Sequence, residues 1–470
     1  MNARRLIAIA ILGAGLSAGC GSSKKGGAGA ASTAAPVASN QTAPTTSGTA
    51  PTTSGSNTAP VITSTPPAAA PVGVAYDYTP AAQDADGDPL AFSLISGPTG
   101  LTAEAGTGRV RWTPVLSQVG QHAVELEVSD GTVAVTQSWT IDVTQGSPLP
   151  TNATLTDLGA PQGGLPVISD LVEFDGRLWL CQSLDPLNQF GAQLWTWQPG
   201  AGFTRVLNDP TSQGFLRGKV FGGKLYVPDS DPNGLAPGVV YVFDNAAAAP
   251  TRTVVEEAVH NFDVVEFGGE LYVSGGLDTG ESSLNRWDAG TGRWVVASRG
   301  AFSRLKYMAV AGGQIWSSKR STGTTTADLV QIGANLQQQG ASALQGESLT
   351  VAAEAVGPAV YLTISGQQGV AHIRVDANGA TAGLTGITGA LLFDYTLHSD
   401  GNVYAVGTDF QGASFLYGST DGLAFTRLVD VPDLRFGRVG ANADGRPSIT
   451  SFQGKLYCGS STNGKLYRVD

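Results

Sequence analysis

The stretch Phe267-Gly268-Gly269-Glu270-Leu271-Tyr272-Val273 decides the fold, because six other stretches of the chain repeat its pattern. The pattern is an apolar strand end, a tight turn that contains glycine, and an apolar-aromatic strand start. Its aliphatic position recurs at residues 178, 225, 271, 315, 360, 403 and 456, in steps of 43 to 53 residues. A period of about 45 residues with turn-rich strands is typical of β-propellers. The sequence therefore predicts an all-β propeller with seven blades.

The composition favours short strands over helices and excludes some partners. Of the 470 residues 63 are glycine and only 14% are charged, which suits strands joined by tight turns. The net charge is −11. An acidic surface repels phosphate backbones, so we expect no nucleic-acid partner.

The first twenty residues have the pattern of an export signal. Arg4 and Arg5 precede an apolar run, residues 6–16, which is followed by Ser17-Ala18-Gly19-Cys20. This stretch resembles the signal of bacterial lipoproteins, in which small residues precede an acylated cysteine. The resemblance implies a signal peptide at 1–19 and a lipid on Cys20 that anchors the chain in the cell envelope, in the outer membrane or at the cell surface. The alternative is an ordinary secretory leader with an incidental cysteine.

Residues 20–58 consist mainly of Ala, Ser, Thr, Pro and Gly. Such a segment has too few large apolar residues to form a core, so we expect a disordered linker.

Residues 59–146 predict a separate β-sandwich. Six short segments have strand-like alternation: 61–64, 76–78, 90–94, 110–112, 123–128 and 136–141. Short strands separated by Asp-Gly and Gly-rich turns favour an immunoglobulin-like sandwich. The segments Asp84-Ala85-Asp86-Gly87-Asp88, Gly108-Arg109-Val110-Arg111-Trp112-Thr113-Pro114 and Val128-Ser129-Asp130-Gly131 resemble the immunoglobulin and dystroglycan-type cadherin-like modules of bacterial surface proteins.

Two segments have oxygen ligands at spacings that suit calcium. Asp84, Asp86 and Asp88 form a partial ligand set in the module, where cadherin-like relatives bind calcium. In the propeller, Asp229, Asp231 and Asn233 occupy the first, third and fifth places of an EF-hand-type loop. Ordinary turn chemistry is the favoured explanation of both segments, and calcium is the alternative at each.

Residues 152–470 contain the seven repeats. The last repeat ends after a third strand, and residues 155–158 can supply the fourth, which would close the ring and remove an open sheet edge. The third repeat resembles a kelch blade in its Gly275-Gly276 pair and in Trp287 and Trp294. Cys181 and Cys458 occupy neighbouring blades after closure, either as a disulfide or as two buried apolar residues.

A ring of candidate binding residues lies eight positions before each aliphatic position, where the inner strands begin. These residues are Asp170, Arg217, Asp263, Tyr307, Ala352, Tyr395 and Ser448. We expect them to surround the mouth of a central channel. The loops of the same face contribute aromatic and arginine side chains of the kind that binding sites favour: Phe190, Phe215, Arg299, Phe302, Arg304, Phe410, Arg435, Phe436 and Arg438.

The sequence favours binding over catalysis. The four histidines show no metal-ligand spacing, and the chain has no Gly-x-Ser-x-Gly elbow or phosphate loop. We expect a non-catalytic propeller face that binds a carbohydrate, peptide or protein. The alternative is a carbohydrate-active enzyme, a glycosidase or lyase, with Asp170 and Asp263 as its acid pair in the funnel.

Overall fold

The computed structural model describes residues 57–115, 118–184, 191–232, 237–277, 279–300, 304–320, 329–341, 348–366, 369–431 and 447–470. The predicted lipidation site Cys20, the leader and most of the linker lie outside these ranges, as does Asn233. The described residues form strands and turns and contain no α-helix, which confirms the all-β fold class.

In the described residues the module, residues 59–146, contains nine strands. They are β1 (Val61–Ile62), β2 (Ala69–Pro71), β3 (Tyr76–Tyr78), β4 (Ala82–Gln83), β5 (Ala91–Ser96), β6 (Thr102–Ala103), β7 (Val110–Trp112), β8 (Gly120–Ser129) and β9 (Ala134–Thr144). One sheet has the order β2-β9-β8-β5 and a second has the order β3-β7-β6, with a separate β1-β4 pair. Alternating side chains of both sheets meet in one apolar core around Val110, Trp112, Val124, Leu126 and Ile141.

In the described residues, the strands that follow are grouped here by the seven sequence repeats, numbered in chain order. Before and within repeats 1 and 2 they are β10 (Leu155–Asp157), β11 (Val167–Phe174), β12 (Arg177–Ser183), β13 (Ala192–Gln198), β14 (Gly202–Asp209), β15 (Ser212–Phe215), β16 (Lys219–Phe221), β17 (Lys224–Pro232), β18 (Val239–Phe243) and β19 (Thr251–Val255). Repeat 1 is β11 to β14 and repeat 2 is β16 to β19. β15 pairs with both β12 and β17 and so joins these two repeats.

Repeats 3 to 5 have four strands each. They are β20 (Ala258–Phe267), β21 (Glu270–Leu277), β22 (Ser282–Asp288), β23 (Arg293–Gly300), β24 (Arg304–Ala311), β25 (Gln314–Arg320), β26 (Leu329–Ile332), β27 (Gln338–Ala341), β28 (Ser348–Val356), β29 (Ala359–Gly366), β30 (Gly369–Val375) and β31 (Thr381–Gly383). Consecutive strands of each repeat pair antiparallel.

Repeats 6 and 7 complete the chain. Their strands are β32 (Ala390–Leu397), β33 (Val403–Asp409), β34 (Ser414–Ser419), β35 (Thr426–Asp430), β36 (Ser448–Phe452), β37 (Lys455–Gly459) and β38 (Leu466–Val469). Within the described residues repeat 7 has three strands of its own, and β10 pairs with β38 in the register Leu155↔Val469 to form the sheet β10-β38-β37-β36.

The first strands of the repeats lie side by side. β20, β24, β28, β32 and β36 are each adjacent to the next, and β36 is adjacent to β11 of repeat 1. Apolar clusters fill the spaces between neighbouring repeats. Leu178, Leu180 and Trp195 of repeat 1, for example, pack with Phe452 and Tyr457 of repeat 7. The first strands of these repeats thus face a shared centre, which is called the axis below. The predicted site residues lie on first strands, except Arg217, which lies just before β16.

Candidate functional site

Arg217 lies at the centre of the predicted ring. Its side chain is 4% exposed, and its Nη1 atom lies 3.5 Å from Oδ1 of Asp170 and 3.9 Å from Oδ1 of Asp394. Its Nη2 atom pairs with Oε1 of Glu354. The guanidinium carbon also lies 4.8 Å from the ring centre of Tyr307, within the range of a cation–π contact. This one side chain, from repeat 2, therefore contacts repeats 1, 4, 5 and 6.

The aspartates of the ring accept hydrogen bonds from the next repeat. In each case Oδ2 accepts the backbone N–H of the residue that follows the next repeat's ring position. The three bonds are Gly218 N–H to Asp170 (2.8 Å), Met308 N–H to Asp263 (2.9 Å) and Ile449 N–H to Asp394 (2.8 Å). Each carboxylate thereby links two neighbouring first strands and satisfies an amide that would otherwise be buried without a partner.

Local backbone geometry aims these side chains at the axis. The first strands of repeats 1, 3, 4, 5 and 6 each have a register shift at or beside the ring position. A bulge of this kind redirects a side chain out of the regular alternation. The bulges of the first strands therefore determine where the ring side chains point.

In the ring, burial disfavours the charged forms of the side chains, whereas neighbouring side chains of opposite charge favour them. Burial works against the charged form of Arg217, but the attraction of Asp170, Asp394 and Asp263 outweighs it and raises the pKa of the guanidinium. Burial raises the pKa of the Asp263 carboxyl, against the attraction of Lys219 and Arg217. Burial raises the pKa of Asp394 as well, with Arg217 opposing the shift. A buried cation and several buried acids are tolerated together because each partly neutralises the other.

The structure brings together four of the predicted ring residues. Asp170, Arg217, Asp263 and Tyr307 lie together at the axis, and all are buried. Ala352 and Ser448 are also buried at their ring positions. None of the seven is open to a large ligand.

Tyr395 is placed elsewhere, which corrects the prediction. Its hydroxyl lies 2.8 Å from Oγ1 of Thr363, and its ring stacks on Tyr361 in the apolar cluster between repeats 5 and 6. Asp394 takes the ring position instead. The turn of repeat 6 is one residue longer, because Val403 pairs with Leu397, six positions back, whereas Leu178 of repeat 1 pairs with Glu173, five positions back.

Sequence reasoning missed Glu354 and Lys219. Both lie six positions before the aliphatic position of their repeat, one step further along the axis than the ring. Nζ of Lys219 lies 3.6 Å from Oε2 of Glu354, and Lys219 is 22% exposed. A charged residue in an otherwise apolar first strand, as in Val351-Ala352-Ala353-Glu354-Ala355-Val356, was the available signal.

A buried apolar layer lies directly beside the ring. The residues just before the ring positions of repeats 2, 3 and 6 are Leu216, Phe262 and Phe393, with exposed fractions of 4%, 1% and 1%. Lys306, at the same position of repeat 4, lies with its Nζ atom 5.6 Å from the ring centre of Phe262. These large side chains precede the ring positions and so lie toward the start of the first strands.

The loop residues predicted to flank the ring have mixed placements. Phe190, Phe302, Arg435, Phe436 and Arg438 lie outside the described residues. Phe215 is buried in the cluster between repeats 1 and 2. Arg299 pairs with Glu257 and Glu281, and Nη2 of Arg304 lies 2.7 Å from Nε2 of His260. Phe410 is 59% exposed, more than any other large apolar side chain that the structure describes.

The two calcium segments are engaged in local hydrogen bonds. Oδ1 of Asp84 accepts the N–H groups of Asp86 (2.8 Å) and Asp88 (3.2 Å), which is turn chemistry. Oδ1 of Asp229 accepts the N–H of Val239 at 2.7 Å, and burial raises the pKa of Asp229 to about 7. No group of three or more His, Cys, Asp or Glu side chains in the described ranges is arranged to hold a metal ion. Because Asn233 and the side chain of Asp231 lie outside those ranges, calcium at this loop stays a prediction.

The two cysteines that lie in the described residues are free and buried. Cys181 belongs to the cluster that faces repeat 2, and Cys458 belongs to the cluster between repeats 6 and 7. The offset of one residue thus turns each thiol away from the contact between repeats 1 and 7. The alternative of two buried apolar cysteines is the one that the structure shows.

His372 gives a testable pH dependence. Its Nε2 donates to the carbonyl of Ala390 (3.1 Å), its Nδ1 lies 3.0 Å from Oγ1 of Thr363, and burial lowers its pKa to about 4. Because the unfolded chain has a His pKa of about 6.5, it binds a proton more readily than the folded chain between pH 6.5 and 4. We expect His372 to cost up to about 3 kcal/mol of folding free energy as the pH falls through this window.

The measurement is denaturant unfolding of the wild type and of His372→Gln between pH 4 and 7.5. The difference between their unfolding free energies isolates His372 from Asp229, Asp263 and Asp394, whose raised pKa values favour folding at lower pH. The wild type should lose stability relative to the variant below pH 6.5. Parallel curves would show that His372 does not titrate in this way.

Known proteins show similarity to the two parts of the chain. Residues 59–144 match the model of the family described as "Putative Ig domain". This confirms the immunoglobulin-like assignment of the module. No curated protein matches the chain.

Several solved structures resemble the chain at low identity. A protein of unknown function from Bacteroides thetaiotaomicron is 12% identical with a TM-score of 0.41, covering 88% of this chain and 98% of its own. A GH74 xyloglucanase from Xanthomonas campestris is 12% identical with a TM-score of 0.46, covering 66% of this chain and 52% of its own. The WD40 repeats of RRP9 are 11% identical with a TM-score of 0.44, covering 67% of this chain and 96% of theirs. Likenesses this low carry no argument about this chain. The repeated four-stranded sheets are propeller-like in their own right.

In the part of the chain that the structure describes, no helix is long and apolar enough to cross a membrane.

Proposed function

We propose that the chain is a lipoprotein of the cell envelope, anchored through Cys20 in the outer membrane or at the cell surface. Its propeller binds a carbohydrate, peptide or protein partner without catalysing a reaction. The pattern Leu16-Ser17-Ala18-Gly19-Cys20 supports the anchor. Two or more acyl chains on one cysteine are enough for stable membrane attachment.

The proposed platform is a closed ring of seven blades, one for each repeat. Two observations support closure. β10, from the start of this part of the chain, pairs with β38 at its end. The first strand of repeat 7 lies against the first strand of repeat 1. A ring joined in this way has no open sheet edge.

The state of the ring carboxylates is the observation that favours binding over catalysis. A glycosidase needs one acid that exchanges protons with the substrate and a second that reaches the sugar or a water. Asp170 and Asp263 are buried, and each accepts a backbone amide of the next repeat. Asp170 also pairs with Arg217. Both acids are thus committed to holding the first strands together.

The loop face around the start of the first strands is the proposed binding surface. Phe410 lies on it, in the turn between β33 and β34, at the opposite end of repeat 6 from the turn 398–402. An exposed aromatic ring supplies apolar contact area at low entropic cost and is common in binding sites.

A glycan, polysaccharide and peptide array tests the proposal. The chain from residue 59 onward, a compact unit, is applied with calcium and with chelator, and both retention and released sugar are scored. We expect retention without released sugar. We further expect Phe410→Ala to weaken retention at least severalfold, because removal of a binding aromatic typically costs more than about 1 kcal/mol.

Val61→Ala is the matched control, since Val61 is 57% exposed but belongs to the module. Both variants should keep the unfolding midpoint of the wild type. Sugar release would establish the enzyme alternative, and retention that Phe410→Ala leaves unchanged would move the binding surface away from this loop.

A further inference from the structure

The module and the propeller meet in a seam of close backbone contacts. The seam lies on the turns between the first and second strands of repeats 5 and 6. A Cβ atom on Gly357 of repeat 5 would lie 3.1 Å from the carbonyl oxygen of Gly73 in the module, and one on Gly401 of repeat 6 would lie 3.2 Å from Cβ of Pro71. A side chain at either glycine would have to push the module back by a few tenths of an ångström.

Gly146, which follows the last strand of the module, has no conformational reason to be glycine. It is absent from the residues of positive φ, unlike Gly73, Gly357 and Gly401. A Cβ atom there would overlap with Oδ1 of Asn402 and would lie 2.9 Å from the carbonyl carbon of Gly401. Close approach to the turn of repeat 6 is therefore the physical reason for glycine at this position.

Hydrogen bonds also hold the connector, residues 146–147, against the turn 398–402 of repeat 6. The N–H of Ser147 donates to the carbonyl of Asp400 (3.0 Å), and Nδ2 of Asn402 donates to the carbonyl of Ser147 (2.9 Å). Asn402 is fully buried. Asp400 accepts two further hydrogen bonds, from the hydroxyl of Tyr404 to its Oδ2 (2.7 Å) and from the N–H of Asn402 to its Oδ1 (2.9 Å). These bonds hold the turn in the shape that receives the connector.

The turn that receives the connector is the one that is a residue longer than its counterpart in repeat 1. This extra length displaced Asp394 in the sequence count, and the same turn supplies Asp400 and Asn402 to the seam. The departure from the repeat pattern thus coincides with a contact that only this repeat makes with the connector at 146–147 in the described residues.

We propose that the module is fixed to the turn face of the propeller, the face formed by the turns between the first and second strands of the repeats. The module then unfolds with the propeller as one cooperative unit. A tethered module that moved freely would need neither glycine at 146 nor a buried asparagine at 402. The module covers the turns of repeats 5 and 6 at the end of the repeats opposite the loop face of the proposed function. The fixed attachment of the module does not depend on that function.

Differential scanning calorimetry of the chain tests, without any ligand, whether the module and the propeller unfold together. The wild type should unfold in a single transition. Gly146→Val and Asn402→Ala should split it into two, because the module loses its support on the turn of repeat 6. Gly383→Val is the matched control, since a side chain there meets no atom within 4 Å, and it should keep the single transition.

Asn402→Ala keeps the test decisive if Gly146→Val does not fold, because it removes the hydrogen bond to Ser147, together with the side chain's bonds within the turn, without adding bulk. Two separate transitions in the wild type would overturn the proposal. So would a single transition, at the wild-type midpoint, in both seam variants.

Discussion

Arg217→Met should lower the free energy of unfolding by about 3–5 kcal/mol. This is the usual cost of removing one member of a buried ion pair and leaving its partner charges uncompensated. Arg217 is 4% exposed and faces Asp170, Asp394 and Glu354. Methionine keeps much of the length of the side chain, so the loss reports mainly on charge and hydrogen bonding. Denaturant unfolding monitored by tryptophan fluorescence measures it.

Arg293→Met is the control for Arg217. Arg293 pairs with Glu256 at 3.3 Å, but the two side chains are 55% and 40% exposed. An exposed pair contributes about 0–1 kcal/mol, so this variant should stay close to the wild type. A loss in Arg217→Met as small as in the control would show that the ring does not depend on its central cation.

Deletion of residues 466–470 should abolish cooperative folding of the propeller. The deletion removes β38, which pairs with both β37 and β10. Leu466, Tyr467 and Val469 are 0%, 3% and 7% exposed. Burial of a large apolar side chain contributes about 1.5–3 kcal/mol, so three of them contribute about 5–9 kcal/mol. That is comparable to the whole stability of a typical domain, about 5–15 kcal/mol.

Two further variants define the cause of that effect. Leu466→Ala leaves the strand in place and should cost about 2–5 kcal/mol, an intermediate loss. Deletion of residues 1–56, which precede the compact unit, should leave the unfolding transition unchanged. Circular dichroism and calorimetry of the purified chains measure both. A cooperative transition at the wild-type midpoint after deletion of 466–470 would contradict the closing role of β38.

The period of the glycine turns was sufficient to predict the strands. In repeat 3 the glycine turn at 268–269 lies between β20 (Ala258–Phe267) and β21 (Glu270–Leu277), as the pattern of a strand end, a turn and a strand start predicts. Turn glycines and alternating apolar residues are local signals, so they survive in a single sequence. The pairing of β10 with β38 followed from the missing fourth strand of the last repeat.

Positions that depend on turn length or on side-chain reach were harder to predict. Counting eight residues back located Asp170, Arg217 and Asp263 but selected Tyr395 in place of Asp394, because one added turn residue shifts the whole register. Glu354 was missed because a long side chain meets Arg217 from the next layer along the axis. Neither effect is visible in residue spacing alone.

Whether the ring residues bind a ligand or link the strands could be decided only from their burial and hydrogen bonds. A set of acids, an arginine and tyrosines at the start of inner strands resembles a binding site in a sequence, since these residue types are common there. Only the backbone amides of Gly218, Met308 and Ile449 identify the acids as links between strands. Sequence spacing carries no information on such long-range backbone contacts.

Hydrogen exchange at these three amides tests most directly whether the ring is a structural element. Amides bonded to buried carboxylates at the centre of a fold open only with large parts of the structure, so their exchange should be governed by an opening free energy close to that of global unfolding. We expect the N–H groups of Gly218, Met308 and Ile449 to be among the slowest in the chain. Exchange as fast as that of exposed turn amides would show an open, hydrated channel, and the ring would again be a candidate binding site.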